Sequence, residues 1–149
     1  MKLIRTLFLI LALAGFLFSL VIHLSTLWGR APSSEGWLVA PFLGALLSWI
    51  AAAYLSGAKA GRMAGIPFSE VAKDCPTWLK RTDYFFSAYA FLIFLALALR
   101  TLGVFHWKRV EFPLPAGFLF FSAFCMMFYA GSFSMLFGKL FGATRRANS

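Results

Sequence analysis

Three side chains stand ready to do chemistry inside apolar runs. His23 lies near the end of FSLVIHLSTLWG, Tyr89 lies within SAYAF and Tyr129 within MMFYAG. The one other histidine, His106, stands between Phe105 and Trp107. An imidazole in such surroundings is a ligand, a proton carrier or a hydrogen-bonded packing residue, since it changes charge near neutral pH. Two histidines from two helices would suit a haem iron, with the many phenylalanines sheathing the ring. His106 sits in a basic segment at headgroup level and His23 several ångströms deeper, so we expect a packed, hydrogen-bonded His23 and no bound cofactor. Haem remains the alternative. Two histidines without a carboxylate partner make a poor zinc site. The hydroxyls of Tyr89 and Tyr129 need partners in a dry interior. Ser87, Ser132, Ser134 or backbone carbonyls could supply them, as a clamp between two helices or as polar points in a binding pocket.

Other chemistry lacks its residues. Coupled transport usually places an ionisable side chain inside the membrane, and the spans read below contain no Asp or Glu. Small four-helix multidrug exporters need an embedded glutamate. Thiol-oxidising four-helix membrane enzymes need paired cysteines, whereas Cys75 and Cys125 are far apart in the chain and form no C-x-x-C pair. No nucleophile has a base beside it and no acidic cluster could hold a metal for phosphoryl transfer. We expect no enzymatic activity.

The elements that hold these residues follow from hydropathy. Of 149 residues, 61% are hydrophobic and 13% charged, and the mean hydropathy is +0.81. A soluble domain carries roughly 25% charged residues, so this chain needs an apolar solvent. Residues 6–29, 36–58 and 112–138 contain no Asp, Glu, Lys or Arg. Each is long enough for a helix to cross a hydrocarbon core, which takes about 20 residues. A fourth run, Tyr84 to Leu99, reaches full length if Arg100 snorkels to the headgroups. We therefore expect an all-α fold: an integral membrane four-helix bundle forming one domain, with spans near 6–28, 36–58, 84–106 and 113–138. Lys2 and Arg5 before an apolar core resemble a signal peptide. The run continues past the small-x-small candidate Ala12-Leu13-Ala14, however, and reads as an uncleaved first span.

Basic residues in the loops set orientation. With the N-terminus in the cytoplasm, ten fall inside, from Lys2 and Arg5 through Lys59, Arg62, Lys73, Lys80 and Arg81 to Lys139, Arg145 and Arg146. Four fall outside, Arg30, Arg100, Lys108 and Arg109. Both termini are expected inside, and the net charge of +9 belongs to topology rather than to nucleic-acid binding. Trp28, Trp37 and Trp107 fit an outer aromatic belt, and Trp78 an inner one. The inner loop, 59–83, would hold a short interfacial helix starting at Ser69, between Pro67 and Pro76. Gly57, Gly61 and Gly65 make a flexible exit from the second helix or a dimer contact.

Helices in lipid pack through small residues. On the first helix Ala12, Gly15, Ser19 and His23 share one face. Gly44, Ser48 and Ala51 do so on the second, and Ala123, Ala130, Ser134 and Gly138 on the fourth. The third is less ordered, with Ala88 and Ala96 loosely aligned. We expect these stripes to meet and the opposite faces to carry Phe and Leu to lipid.

Three stretches carry a resemblance: SLVIHLSTLWG in the first helix, CPTWLKRTDYFFSAYAF entering the third and FSAFCMMFYAGSFSML in the fourth. Together they resemble a family of small, uncharacterised four-helix bacterial integral membrane proteins. The resemblance implies a four-span bundle and no known activity. His23 and Tyr89 match the family's pattern. Ile93 stands where the family tends to carry Asn, and Ala123, Phe124 and Cys125 replace its Gly-His-Trp, so a function carried by those polar residues would be lost here. The expected protein is thus a non-enzymatic, multi-pass protein of the bacterial inner membrane. It would be an accessory or scaffold subunit, packing against itself or other membrane subunits in the lipid bilayer. The alternative is a binder or carrier of a hydrophobic small molecule, a lipid, quinone or haem, held by His23, Tyr89 and Tyr129.

Overall fold

The computed structural model describes residues 1–30, 36–56, 75–101 and 116–146. Four helices account for nearly all of them: α1 (Lys2–Leu27), α2 (Gly36–Leu55), α3 (Thr77–Thr101) and α4 (Ala116–Arg146). Lys2–Leu27, Thr77–Leu99 and Gly117–Phe141 are long and apolar enough to cross a membrane, while the apolar part of α2, Val39–Leu55, is shorter.

Local chemistry marks the ends. Gly29 adopts φ +74°, a left-handed conformation that other residues enter at a cost. Its N–H reaches the Thr26 carbonyl at 3.0 Å and the Arg30 N–H reaches Ser25 at 2.9 Å, the paired bonds of a Schellman stop. At the other boundary Pro76 lacks an N–H and suits a helix start. Its carbonyl accepts from Leu79 and Lys80, so α3 begins at Thr77. The inner loop expected over 59–83 therefore ends earlier, and Trp78 to Asp83 are helical. An acid therefore lies in this apolar helix, contrary to expectation: Asp83 belongs to α3 and is buried. The interfacial helix at Ser69, the Gly57–Gly61–Gly65 spacing and Trp107 lie outside the described residues.

The hub of the bundle is α4. Of its most apolar stretch 56% is buried, against 22% for α1 and 11% for α3. α4 packs against all three other helices, and α1 also packs on α2. Size complementarity explains the arrangement, since lipid tails give no hydrophobic drive for helix association and close packing must supply it. Tyr129 and Cys125 of α4 meet Ala12 and Ala45. Met135 and Leu136 meet Ala52 and Leu55, and Met126 meets Ala90. The side of α3 turned to α4 reads Leu79, Asp83, Phe86, Ala90 and Ile93, a spacing of four and three residues. Ala88 and Ala96 face outward instead.

Candidate functional site

His23 is buried on α1, and its ring ties three helices together. The serine it meets is Ser122 of α4, whose hydroxyl donates back to the Phe118 carbonyl one turn earlier. That hydroxyl is therefore the acceptor for Nδ1–H, at 2.8 Å. Nε2 is left with a lone pair and accepts the Tyr89 O–H at 2.6 Å. The chain of bonds runs Tyr89, His23, Ser122, Phe118 carbonyl, from α3 through α1 to α4, and it matches a neutral imidazole with one donor and one acceptor. The Tyr89 ring stacks on Phe85 and meets the imidazole edge-on. Phe16 and Phe86 pack edge-to-face beside it, with centroids 4.9 Å apart.

Tyr129 is elsewhere. Its ring passes from α4 between two glycines, Gly15 of α1 and Gly44 of α2. A Cβ on Gly15 would overlap the ring and one on Gly44 would strike the hydroxyl. The hydroxyl donates to the Pro41 carbonyl at 3.1 Å. Pro41 lies inside α2 and cannot donate to the carbonyl one turn before it. His23 and Tyr89 are thus brought together, and Tyr129 closes a separate joint on other helices.

The expected packing residues can be placed one by one. Ser19, Ser48 and Ser134 are fully buried, and Ala130 and Gly138 are buried. Gly15 and Gly44 flank Tyr129. On α2 the fully buried alanines are Ala45 and Ala52, with Ala51 only half covered. Ser19 lies beside the Cys125 thiol and Ser134 beside that of Cys75, and neither serine makes a hydrogen bond of ordinary geometry. Burial pushes the Cys75 thiol up to about 11; Lys80 and Ser134 act against this and Asp83 adds to it.

His106, the second histidine of the haem alternative, lies outside the described residues. Both nitrogens of His23 are engaged by protein partners, so an iron would have to displace one of them. Among the described residues no three of His, Cys, Asp and Glu gather as a metal site. Sequence reasoning missed Ser122 and Asp83. Ser122 follows the four-residue ladder of Phe118, Ser122 and Met126 on the buried side of α4, a signal hidden by the phenylalanines around it.

No protein-family model, curated protein or solved structure matches the chain significantly. The family resemblance rests on its quoted motifs alone.

Proposed function

We propose that this is a multi-pass protein of the bacterial inner membrane with four spans and both termini in the cytoplasm. It acts without enzymatic chemistry, as an accessory or scaffold subunit that packs against itself or other membrane subunits. One observation carries the reading: polar side chains turn inward, with His23, Tyr89, Ser122 and Tyr129 bonded from helix to helix, while large apolar ones cover the outside. Ile10, Leu17 and Val21 on α1, and Phe85, Phe91 and Leu92 on α3, are each at least half exposed. Such continuous apolar surface belongs against lipid or another membrane helix. The loop charges support the orientation, and Trp28 and Trp37, both exposed at one end of α1 and α2, fit an interfacial belt.

A second reading is favoured by an open groove of about 280 Å³ between α1 and α2, lined by Phe18, Gly36, Trp37, Ala40 and Pro41. It would admit part of a hydrophobic small molecule. None of His23, Tyr89 and Tyr129 lines it.

Gentle extraction from the native membrane, followed by mass determination and an absorption spectrum, separates the two. Stoichiometric partner chains or a homo-oligomer in a colourless sample are expected. A monomer that carries nothing would refute the scaffold. A Soret band lost in His23→Ala would move the protein to the redox class.

A further inference from the structure

Asp83 is 4% exposed, in the seam where α3 meets α4. Its Oδ1 lies 3.6 Å from where a Cβ on Gly131 would stand, an ordinary contact distance that makes Gly131 of α4 its neighbour. Gly131 also fixes its place along α4. The apolar stretch of α4, Gly117–Phe141, has Tyr129 at its middle, and Gly131 is two residues further, about 3 Å along the axis. The carboxyl therefore lies against the middle part of α4, while on α3 it stands two residues after Arg81, near the end at which that helix begins.

Its surroundings are poor in charge. Lys80, half-buried, lies one turn earlier on α3, the exposed Arg81 stands two residues before it on another side of the helix, and the Cys75 thiol precedes the helix. From α4 come Gly131 and Ser134, with Lys139 two turns further on. Tyr129 turns away toward α1 and α2, and Tyr89 is bonded to His23. α1 carries no charged side chain after Arg5, and α2 carries none over 36–56. Among the described residues none gives the carboxyl a hydrogen bond or an ion pair. A lone carboxylate so placed is very costly, and such a group takes a proton instead.

We propose that Asp83 is a proton-binding site inside the bundle, filled from the end at which α3 begins. Thr77 lies six residues before it, about 9 Å along the axis, which makes that end the short route to water. The protonated carboxyl lets the seam close. Its ionised form needs water or a counter-charge, and α3 is the least enclosed of the three long apolar helices. This goes beyond the scaffold reading and does not depend on it.

The test is labelling of the full-length wild-type chain, in zwitterionic vesicles, with a hydrophobic carbodiimide that attacks protonated carboxyls in apolar surroundings. Peptide mass spectrometry can assign it cleanly, because the chain has five acidic side chains: Glu35, Glu70, Asp74, Asp83 and Glu111. Asp83 should be the most strongly labelled at neutral pH. Its labelling should fall about tenfold per pH unit once the group titrates, and sodium at constant pH should leave it unchanged. Absence of label at Asp83 in folded protein, at neutral and acidic pH alike, overturns the proposal. Suppression by sodium overturns it too, by marking a cation site. As a second measure, Asp83→Asn mimics the neutral carboxyl. It should fold and melt like the wild type at acidic pH, whereas a variant that unfolds at every pH would mean that the charge itself is required.

Discussion

His23 and Tyr129 are both buried aromatic side chains with polar ends, and they hold different parts of the bundle for different reasons. His23 works through bonds. Tyr89→Phe removes one donor and should lower stability by about 0.6 kcal/mol, and by no more than about 1.7, the range of interhelical hydrogen bonds in membranes. His23→Ala strands two groups, the Tyr89 hydroxyl and the Ser122 lone pair, so it should cost about 1–3 kcal/mol. In the double variant the two losses should not add, because they share one contact. Reversible unfolding in mixed micelles reads all three, and additive losses would dissolve the triad. Tyr129 works through shape. Gly15→Ala and Gly44→Ala should each destabilise by about 1–3 kcal/mol through overpacking. Tyr129→Phe should then rescue Gly44→Ala, whose new methyl meets the hydroxyl, with the next ring atom 3.8 Å away. It should not rescue Gly15→Ala, whose methyl meets the ring itself. Equal rescue of both would mean that the ring does not lie as described. At this scale the sequence showed that His23 and Ser19 face inward, because small residues spaced at helical intervals line up with them, while Ser122 and Asp83 were hidden by their neighbours. It did not show that Tyr129 belongs with Gly15 and Gly44, since that pairing joins three helices and no local spacing encodes it.

Among the elements, α3 is the exception. Its contact side includes an acid, and its other sides expose Tyr84, Phe85, Phe91 and Phe94. The cluster Lys80, Arg81 and Asp83 reads locally as a loop, and only the four-and-three spacing from Leu79 to Ile93 reveals that Asp83 shares the packed side. The start of α3 can be followed through Cys75, which is 6% exposed and packed with Leu79 against Phe133 and Phe137. A thiol raised from about 9 to about 11 has roughly a hundredfold less thiolate at pH 8. Maleimide labelling of Cys75 should therefore be slow at pH 8 and speed up as pH rises toward 11. The linkage runs the same way: a raised folded value contributes stability below about 9, and that contribution is lost as pH climbs through about 11. Leu79→Ala, which removes the side chain packed with Cys75 against Phe133 and Phe137, should loosen this end and accelerate labelling at pH 8. Unchanged slow labelling in that variant would mean that Cys75 is protected by something other than the α3–α4 seam.

At the scale of the whole molecule, the all-helical architecture was legible because uncharged stretches longer than 20 residues leave few alternatives to helices. The order of packing was not. Every helix exposes large apolar side chains, so hydropathy cannot tell the enclosed α4 from the exposed α3; side-chain size does, with Met126, Tyr129, Met135 and Leu136 facing alanines and glycines. Orientation is a separate matter and part of the proposal: on a four-span reading, ten basic residues would fall on one side and four on the other. A reporter joined after Ser149 should behave as cytoplasmic: a fluorescent protein should glow there and an alkaline phosphatase should stay inactive. Because that bias is heaviest on the inner loop and the C-terminal end, replacing Lys139, Arg145 and Arg146 together should weaken the preference but not reverse it, as seven basic residues would still oppose four. Active phosphatase on the unaltered chain would place the C-terminus outside. It would invert every loop or remove one crossing, and α2, with the shortest apolar stretch of the four, would be the helix to re-examine.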